Sequence, residues 1–227
     1  MSEPDTGISS PEIRRLRLAD QVYEILRARI LARQLQPGQR LSVPKLADEL
    51  GLSRSPVREA VQRLVAEGLG TEQMHRGAVV AGIDAGEVGD MYELRSVLEG
   101  LAARRAATRT TPALVTELTG LLEQHAAAIT AQAEADIVRA DLRFHSRILQ
   151  AANSSHLTRA LGPILGRANL AMLAGDLSTW PKQAVREHRS VLTAIASGDP
   201  AAAEKAARRH IELVAERLER RLRKGHQ

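Results

Sequence analysis

The chain has 227 residues, a net charge of +5 at pH 7 and no cysteine. Hydrophobic residues make up 44% but aromatics only 2%, so aliphatic side chains must fill the core, as they do in close-packed helices. The cysteine count excludes disulfides and thiolate metal ligands and fits a reducing cytoplasm; no apolar run approaches the roughly 18 residues of a membrane span. The basic balance favours an acidic partner such as nucleic acid.

Residues 1–16 are polar, lack a signal-peptide core and read as a flexible tail. Residues 17–82 form a first domain of short segments broken by Pro and Gly. "LADQVYEILRARILARQ" places Val22, Ile25, Leu26, Arg29 and Ile30 at helical spacing, and "PGQR" ends the helix. "VPKLADEL" predicts a short helix, "GLS" a tight turn at Gly51, and "RSPVREAVQRLVAEG" a further helix. Ser53 suits the N-cap of that helix, and Pro56 sits in its first turn, where a missing N–H costs little. Val57, Ala60, Val61, Leu64 and Val65 form its apolar stripe, while Arg54, Ser55, Arg58 and Gln62 point elsewhere. "TEQMHRGAVVAGI" reads as two strands around "HRG".

Helix, helix, turn, helix and hairpin in that order spell a winged helix-turn-helix. The second helix of the pair enters the DNA major groove with its N-terminal side chains nearest the base edges. Arg54 and Arg58 are the candidate base readers, with Ser53 and Ser55 suited to phosphates or bases. His75, Arg76 and Gly77 at the hairpin tip suit phosphate or minor-groove contact. Any one of these side chains alone is more ordinarily a solvated surface group; the whole arrangement points to double-stranded DNA.

"AGIDAGEVGD" (Ala81 to Asp90) is the seam, and its glycines predict a linker. Beyond it, residues 83–223 read as a bundle of six Ala-rich helices at 84–107, 112–130, 132–151, 154–175, 182–197 and 200–223. The fold class is therefore mainly α: a winged helix-turn-helix followed by an all-α bundle. Within the bundle, "ADLRFHSRIL" puts Asp141 and His145 one turn apart on the face that carries Ile148. His188 shares a face with Val185, Leu192 and Ile195, and His210 with Ala207, Ile211 and Val214. Inward polar groups need partners, and one divalent cation would satisfy all four. Imidazole and carboxylate donors suit Zn²⁺, Ni²⁺, Mn²⁺ or Fe²⁺. Open positions on such a cation could take a small organic acid. Arg95 could supply that acid's countercharge, or could form a surface ion pair with Glu99 four residues on. Asn169 is a lesser pocket candidate, His125 reads as structural, and His156 and His226 read as loop and tail residues.

The run "LADELGLSRSPVREAVQRLVAEGL" followed by "HRGAVV" resembles the DNA-binding domain of GntR-type bacterial transcription regulators. The helical remainder resembles the FCD ligand-binding domain of their FadR branch, and six helices resemble its VanR-like subgroup. The resemblance implies a cytoplasmic, homodimeric repressor that reads a pseudo-palindromic operator and responds to a small organic acid. It also implies a metal set of Asp141, His145, His188 and His210, matching the family's Asp-x-x-x-His pair and two later histidines, and it tips Arg95 towards ligand contact. One departure is Val43-Pro44, where relatives commonly carry Glu-Arg; Lys45 is the nearest substitute, so operator preference does not carry over. Two rival readings are a direct metal sensor and a metal-dependent hydrolase, though no general base of the H-E-x-x-H kind accompanies the histidines.

Overall fold

The computed structural model describes residues 10–82, 85–174 and 181–224. The chain divides into two units, Met1–Ala81 and Gly82–Gln227.

The first unit consists of α1 (Ser10–Leu31), α2 (Val43–Leu50), α3 (Arg54–Ala66) and an antiparallel hairpin, β1 (Gly70–Gln73) with β2 (Gly77–Val80). Helix α1 begins at Ser10, inside the stretch expected to be a flexible tail. The sequence reason is "SPE": a proline in the first turn and an acidic residue behind it favour a helix start. Val22, Leu26 and Ile30 of α1 are buried with Val57, Ala60, Val61 and Leu64 of α3. Ile25, expected on the same stripe, is exposed, and Tyr23 is buried in its place. Tyr23 donates its hydroxyl hydrogen bond to Glu67, and the Arg63 guanidinium lies 3.9 Å from the Tyr23 ring centroid. Arg63 also bonds Asp20 at 3.0 Å and Glu67 at 2.9 Å. This network clamps the middle of α1 to the end of α3.

A left-handed glycine separates α2 from α3. Helix α2 ends on Gly51 at φ 65°, a left-handed conformation that costs a side-chain-bearing residue about 1–2 kcal/mol. Ser53 occupies the expected N-cap position of α3, but its side chain makes no capping bond. The hairpin pairs Gly70 with Val80 through Gln73 with Gly77, leaving Met74, His75 and Arg76 as the turn. His75 and Gly77 both have positive φ, 63° and 70°.

The second unit consists of α4 (Ala85–Ala107), α5 (Pro112–Thr130), α6 (Glu134–Ala151), α7 (Ser155–Ala174), α8 (Pro181–Ala196) and α9 (Pro200–Lys224). The expected linker over Ala81–Asp90 is shorter than predicted, because Gly86 and Gly89 lie within α4. Val88 and Tyr92, both buried, anchor that first stretch against α7 and α9 and override the poor helix propensity of the glycines. Side-chain caps begin α5 and α9 as the sequence suggests. Thr111 accepts the Leu114 N–H at 3.1 Å, and Asp199 accepts those of Ala201 and Ala202 at 3.0 Å. Helix α4 runs alongside α9, where a Cβ on Gly100 would come within 2.7 Å of Arg208 Cγ. Ala103, Leu118, Phe144, Leu161, Ile195 and Ala203 build the core. His156 lies on α7 rather than in a loop, and is exposed. The loop expected at "STWP" falls largely, and His226 wholly, outside the described residues. No helix among the described residues is long and apolar enough to cross a membrane.

Candidate metal centre and nucleic-acid interface

In the second unit, α6, α8 and α9 bring the four expected donors together. Asp141 and His145 on α6, His188 on α8 and His210 on α9 are each at most 4% exposed. His188 Nε2 lies 3.0 Å from His210 Nε2 and 3.6 Å from an Asp141 oxygen, and His145 Nε2 lies 3.8 Å from Asp141. One ligating atom each of His145, His188 and His210 falls within 4.8 Å of the other two. Phe144 stacks on His188, with centroids 4.5 Å apart, and closes one side of the cluster.

Two carboxylates orient the rings. The Nδ1 side of His145 meets Glu99 of α4, and the Nδ1 side of His210 meets Glu187 of α8 at 2.9 Å. Each carboxylate is itself held by arginine. Arg95 Nε donates to Glu99 at 2.5 Å, and both Arg217 amino groups donate to Glu187 at 2.6 and 2.7 Å. A carboxylate that accepts the Nδ1–H hydrogen bond leaves Nε2 as a lone-pair donor, and Nε2 of both rings faces the cluster interior. His145 Nε2 and His188 Nδ1 are buried without a hydrogen-bond partner among the described residues. Two donors about 2.1 Å from a cation and at right angles lie about 3.0 Å apart, so the observed spacing fits a shared ion. The donor chemistry, the orphaned nitrogens and the carboxylate-backed rings all fit a divalent metal.

Glu187 and Arg217 were not assigned a role from sequence, and Glu99 was read only as a surface partner of Arg95. Arg95 and Glu99 do form the i,i+4 pair, but as a correction to the surface reading both are buried, at 2% and 7% side-chain exposure. Asn169 is buried on α7, beside Ala168 and Ala171 of the cluster shared by α4, α7 and α9. His125 is buried on α5.

Electrostatics separate the two kinds of group. Burial would raise Glu99, but Arg95 and His145 outweigh it and hold the carboxyl down to about 2. Burial likewise opposes ionisation of Glu187, and hydrogen bonds from Arg217 and His210 bring it to about 2. Burial pushes His188 well below the ordinary histidine value, with further lowering from His210, His145 and His125. Burial also lowers His125 and His210, the latter against the opposing pull of Glu187. These shifts predict two acid-induced losses of stability. In metal-free protein, stability is complete above pH 6.5, the unfolded histidine value, and falls below it, since the unfolded chain binds protons that these buried rings refuse. A second loss begins near pH 4.5 and continues to about 2, because Glu99 and Glu187 must be protonated. Denaturant melts in chelator from pH 8 to pH 3 would check both; a flat response between pH 8 and 5 would contradict the first.

In the first unit, Arg54, Ser55, Arg58 and Gln62 are exposed on α3, opposite the buried stripe. Ser53 is exposed at its N-cap, and Lys45 is exposed on α2. Ser55 Oγ donates to Glu59 at 3.3 Å. His75, Arg76 and Gly77 are exposed at the hairpin turn, where Arg76 reaches Gln73 at 3.3 Å. The exposed Arg40, not singled out from sequence, is tied to the hairpin by a backbone bridge to Val79.

A helix-turn-helix with a two-stranded wing, followed by a helical bundle, defines a two-part transcription regulator. Residues 18–80 match the bacterial regulatory proteins of the gntR family, and residues 90–213 match the FCD domain. The chain belongs to the GntR family and carries an FCD domain. It is 30% identical to the probable D-xylose utilization operon transcriptional repressor of Paenarthrobacter nicotinovorans, over 89% of each chain. It is 35% identical to the gluconate operon transcriptional repressor of Bacillus licheniformis, over 58% of this chain but only 54% of that relative. The fold matches E. coli McbR/YncC with a TM-score of 0.75 at 22% identity, covering 89% of this chain and 97% of that one. A GntR-type regulator from Rhodococcus sp. RHA1 matches with a TM-score of 0.71 at 24% identity, covering 88% and 96%. The chain is thus a DNA-binding transcription regulator, as its relatives are, and not an enzyme.

Proposed function

We propose that this protein is a homodimeric repressor whose operator affinity is set by a small organic acid bound at a divalent metal in the FCD domain. The observation that carries the proposal is the buried triad of His145, His188 and His210, with Asp141 3.6 Å from His188 and 3.8 Å from His145, whose outer ring nitrogens are fixed by Glu99 and Glu187. A bound cation supplies Lewis acidity and positive charge for an anionic ligand. Around it, Glu99 and Glu187 keep the Nε2 lone pairs of His145 and His210 inward. Arg95 has five N–H donors, of which Nε serves Glu99, so the amino groups can receive the acid's carboxylate. Asn169 offers an amide from α7. The DNA readers of this proposal are Arg54 and Arg58, with Lys45, Ser53, Ser55, His75, Arg76 and Gly77 as backbone contacts. The protein needs no membrane and acts in the cytoplasm. The identity of the metal, among Zn²⁺, Ni²⁺, Mn²⁺ and Fe²⁺, is open to direct measurement.

Control follows from linkage. An acid that binds one arrangement of the dimer better shifts the operator equilibrium by that preference alone, typically about 5- to 150-fold. The test is operator affinity of metal-loaded protein across a panel of small organic acids, with acid affinity measured with and without operator. Reciprocal weakening supports the proposal, and acids that bind without altering operator affinity refute it. A response to metal alone would favour the direct sensor.

The dimer draws support from α4. Leu94, Val97 and Leu101 are 50, 42 and 41% exposed, and their i, i+3, i+7 spacing aligns them on one side of the helix. A second copy would remove that stripe from water. Val97→Glu is expected to convert the dimer to monomer in analytical ultracentrifugation. The same substitution lowers operator affinity, because a palindrome is then read by one half at a time. An unchanged dimer would place the interface elsewhere.

A further inference from the structure

We infer that His125 is a fifth donor of the centre, so that the cluster presents four imidazoles and one carboxylate; this rests on the metal reading above. His125 is 1% exposed, and neither ring nitrogen has a hydrogen-bond partner among the described residues. A neutral imidazole carries one N–H donor and one lone pair, and buried structural histidines ordinarily satisfy at least one of them. Here both are unused, although Leu114, Leu118 and Leu122 on the same buried side of α5 show that an apolar residue fits the stripe.

The surroundings supply a reason. One ligating atom each of His125, Asp141 and His188 lies within 4.8 Å of the other two. The His125 and His188 rings are 5.6 Å apart and tilted by 41°. The cluster therefore contains two donor triads that share His188: His145–His188–His210 and His125–Asp141–His188. A cation held between them meets the donors of both. Four imidazoles make the centre richer in nitrogen than an Asp-His₃ set. That composition favours Zn²⁺, Ni²⁺ or Co²⁺ over oxygen-preferring Mn²⁺.

The test uses the full chain as wild type, His125→Phe, His125→Gln and His188→Phe. Zn²⁺ affinity is read by competition with a chromophoric chelator, and coordination by the visible spectrum of the Co²⁺ form. His125→Phe is expected to lower Zn²⁺ affinity about tenfold or more, as even the loss of an outer-shell partner does, and to alter the Co²⁺ bands. His188→Phe removes a residue shared by both triads and is expected to lose tight binding. Wild-type affinity and an unchanged Co²⁺ spectrum in both His125 variants would overturn the inference while leaving the metal reading intact. No metal binding by wild type would overturn both. Should the His125 variants fail to fold, X-ray absorption of the Zn²⁺-loaded wild type decides: four imidazoles support the inference and three refute it.

Discussion

Saturating the protein with Zn²⁺ or Ni²⁺ raises the melting temperature of the wild type and leaves His188→Leu unmoved. An ion that binds only the folded state stabilises it by RT ln(1 + [L]/Kd), about 4 kcal/mol at a thousandfold excess over Kd. For a protein of this size that corresponds to a rise of roughly 10 °C. The metal-free variant is expected to melt close to the metal-free wild type, because two effects oppose one another. Leucine loses the stacking of His188 on Phe144 and its 3.0 Å contact with His210, but removes a buried Nδ1 that has no partner among the described residues. An unpaired buried group of that kind costs about 1–3 kcal/mol. Calorimetry of both proteins with chelator and with metal makes the comparison. A metal response that survives in His188→Leu would mean the ion binds elsewhere.

The second large effect is on DNA. Arg58→Ala is expected to weaken operator binding by about 1–3 kcal/mol and to relax preference at one base pair, because alanine cannot make the bidentate pair of hydrogen bonds that arginine donates to guanine. Arg54→Ala should act alike at a neighbouring position, since both side chains are exposed near the start of α3. Arg76→Ala belongs to a different class. Removing a phosphate-binding cation from the wing lowers affinity evenly across sequences and reduces the salt slope by about 0.9. Fluorescence anisotropy against operator variants at several salt concentrations separates the two. If neither Arg54 nor Arg58 affects binding, α3 is not the reading helix.

Much of this was written in the apolar periodicity. The six helices of the second unit fall within two residues of their expected positions, since their stripes are regular and Thr111 and Asp199 cap their starts. Asp141, His145, His188 and His210 were legible because each sits on a stripe whose other members are aliphatic and buried. Glu99 was misread for a reason visible in α4. Its apolar residues surround the helix, with Leu94, Val97 and Leu101 exposed while Tyr92, Ala102 and Ala106 are buried, so the inward side cannot be told from spacing. Glu187 precedes His188, and neighbours on a helix point about 100° apart, so its reach to His210 and Arg217 depends on how α8 meets α9. Carboxylates near inward histidines were the available signal, since outer-shell acids orient metal-binding imidazoles. The start of α1 was missed because its polar composition outweighed the "SP" start signal at Ser10.

If side chains of α6, α8 and α9 share one cation, anomalous diffraction at the absorption edge of the bound metal will locate it there. Crystals of metal-loaded protein are expected to show a peak enclosed by Asp141, His145, His188 and His210. A cluster that stays empty while the metal binds at the surface would contradict this expectation.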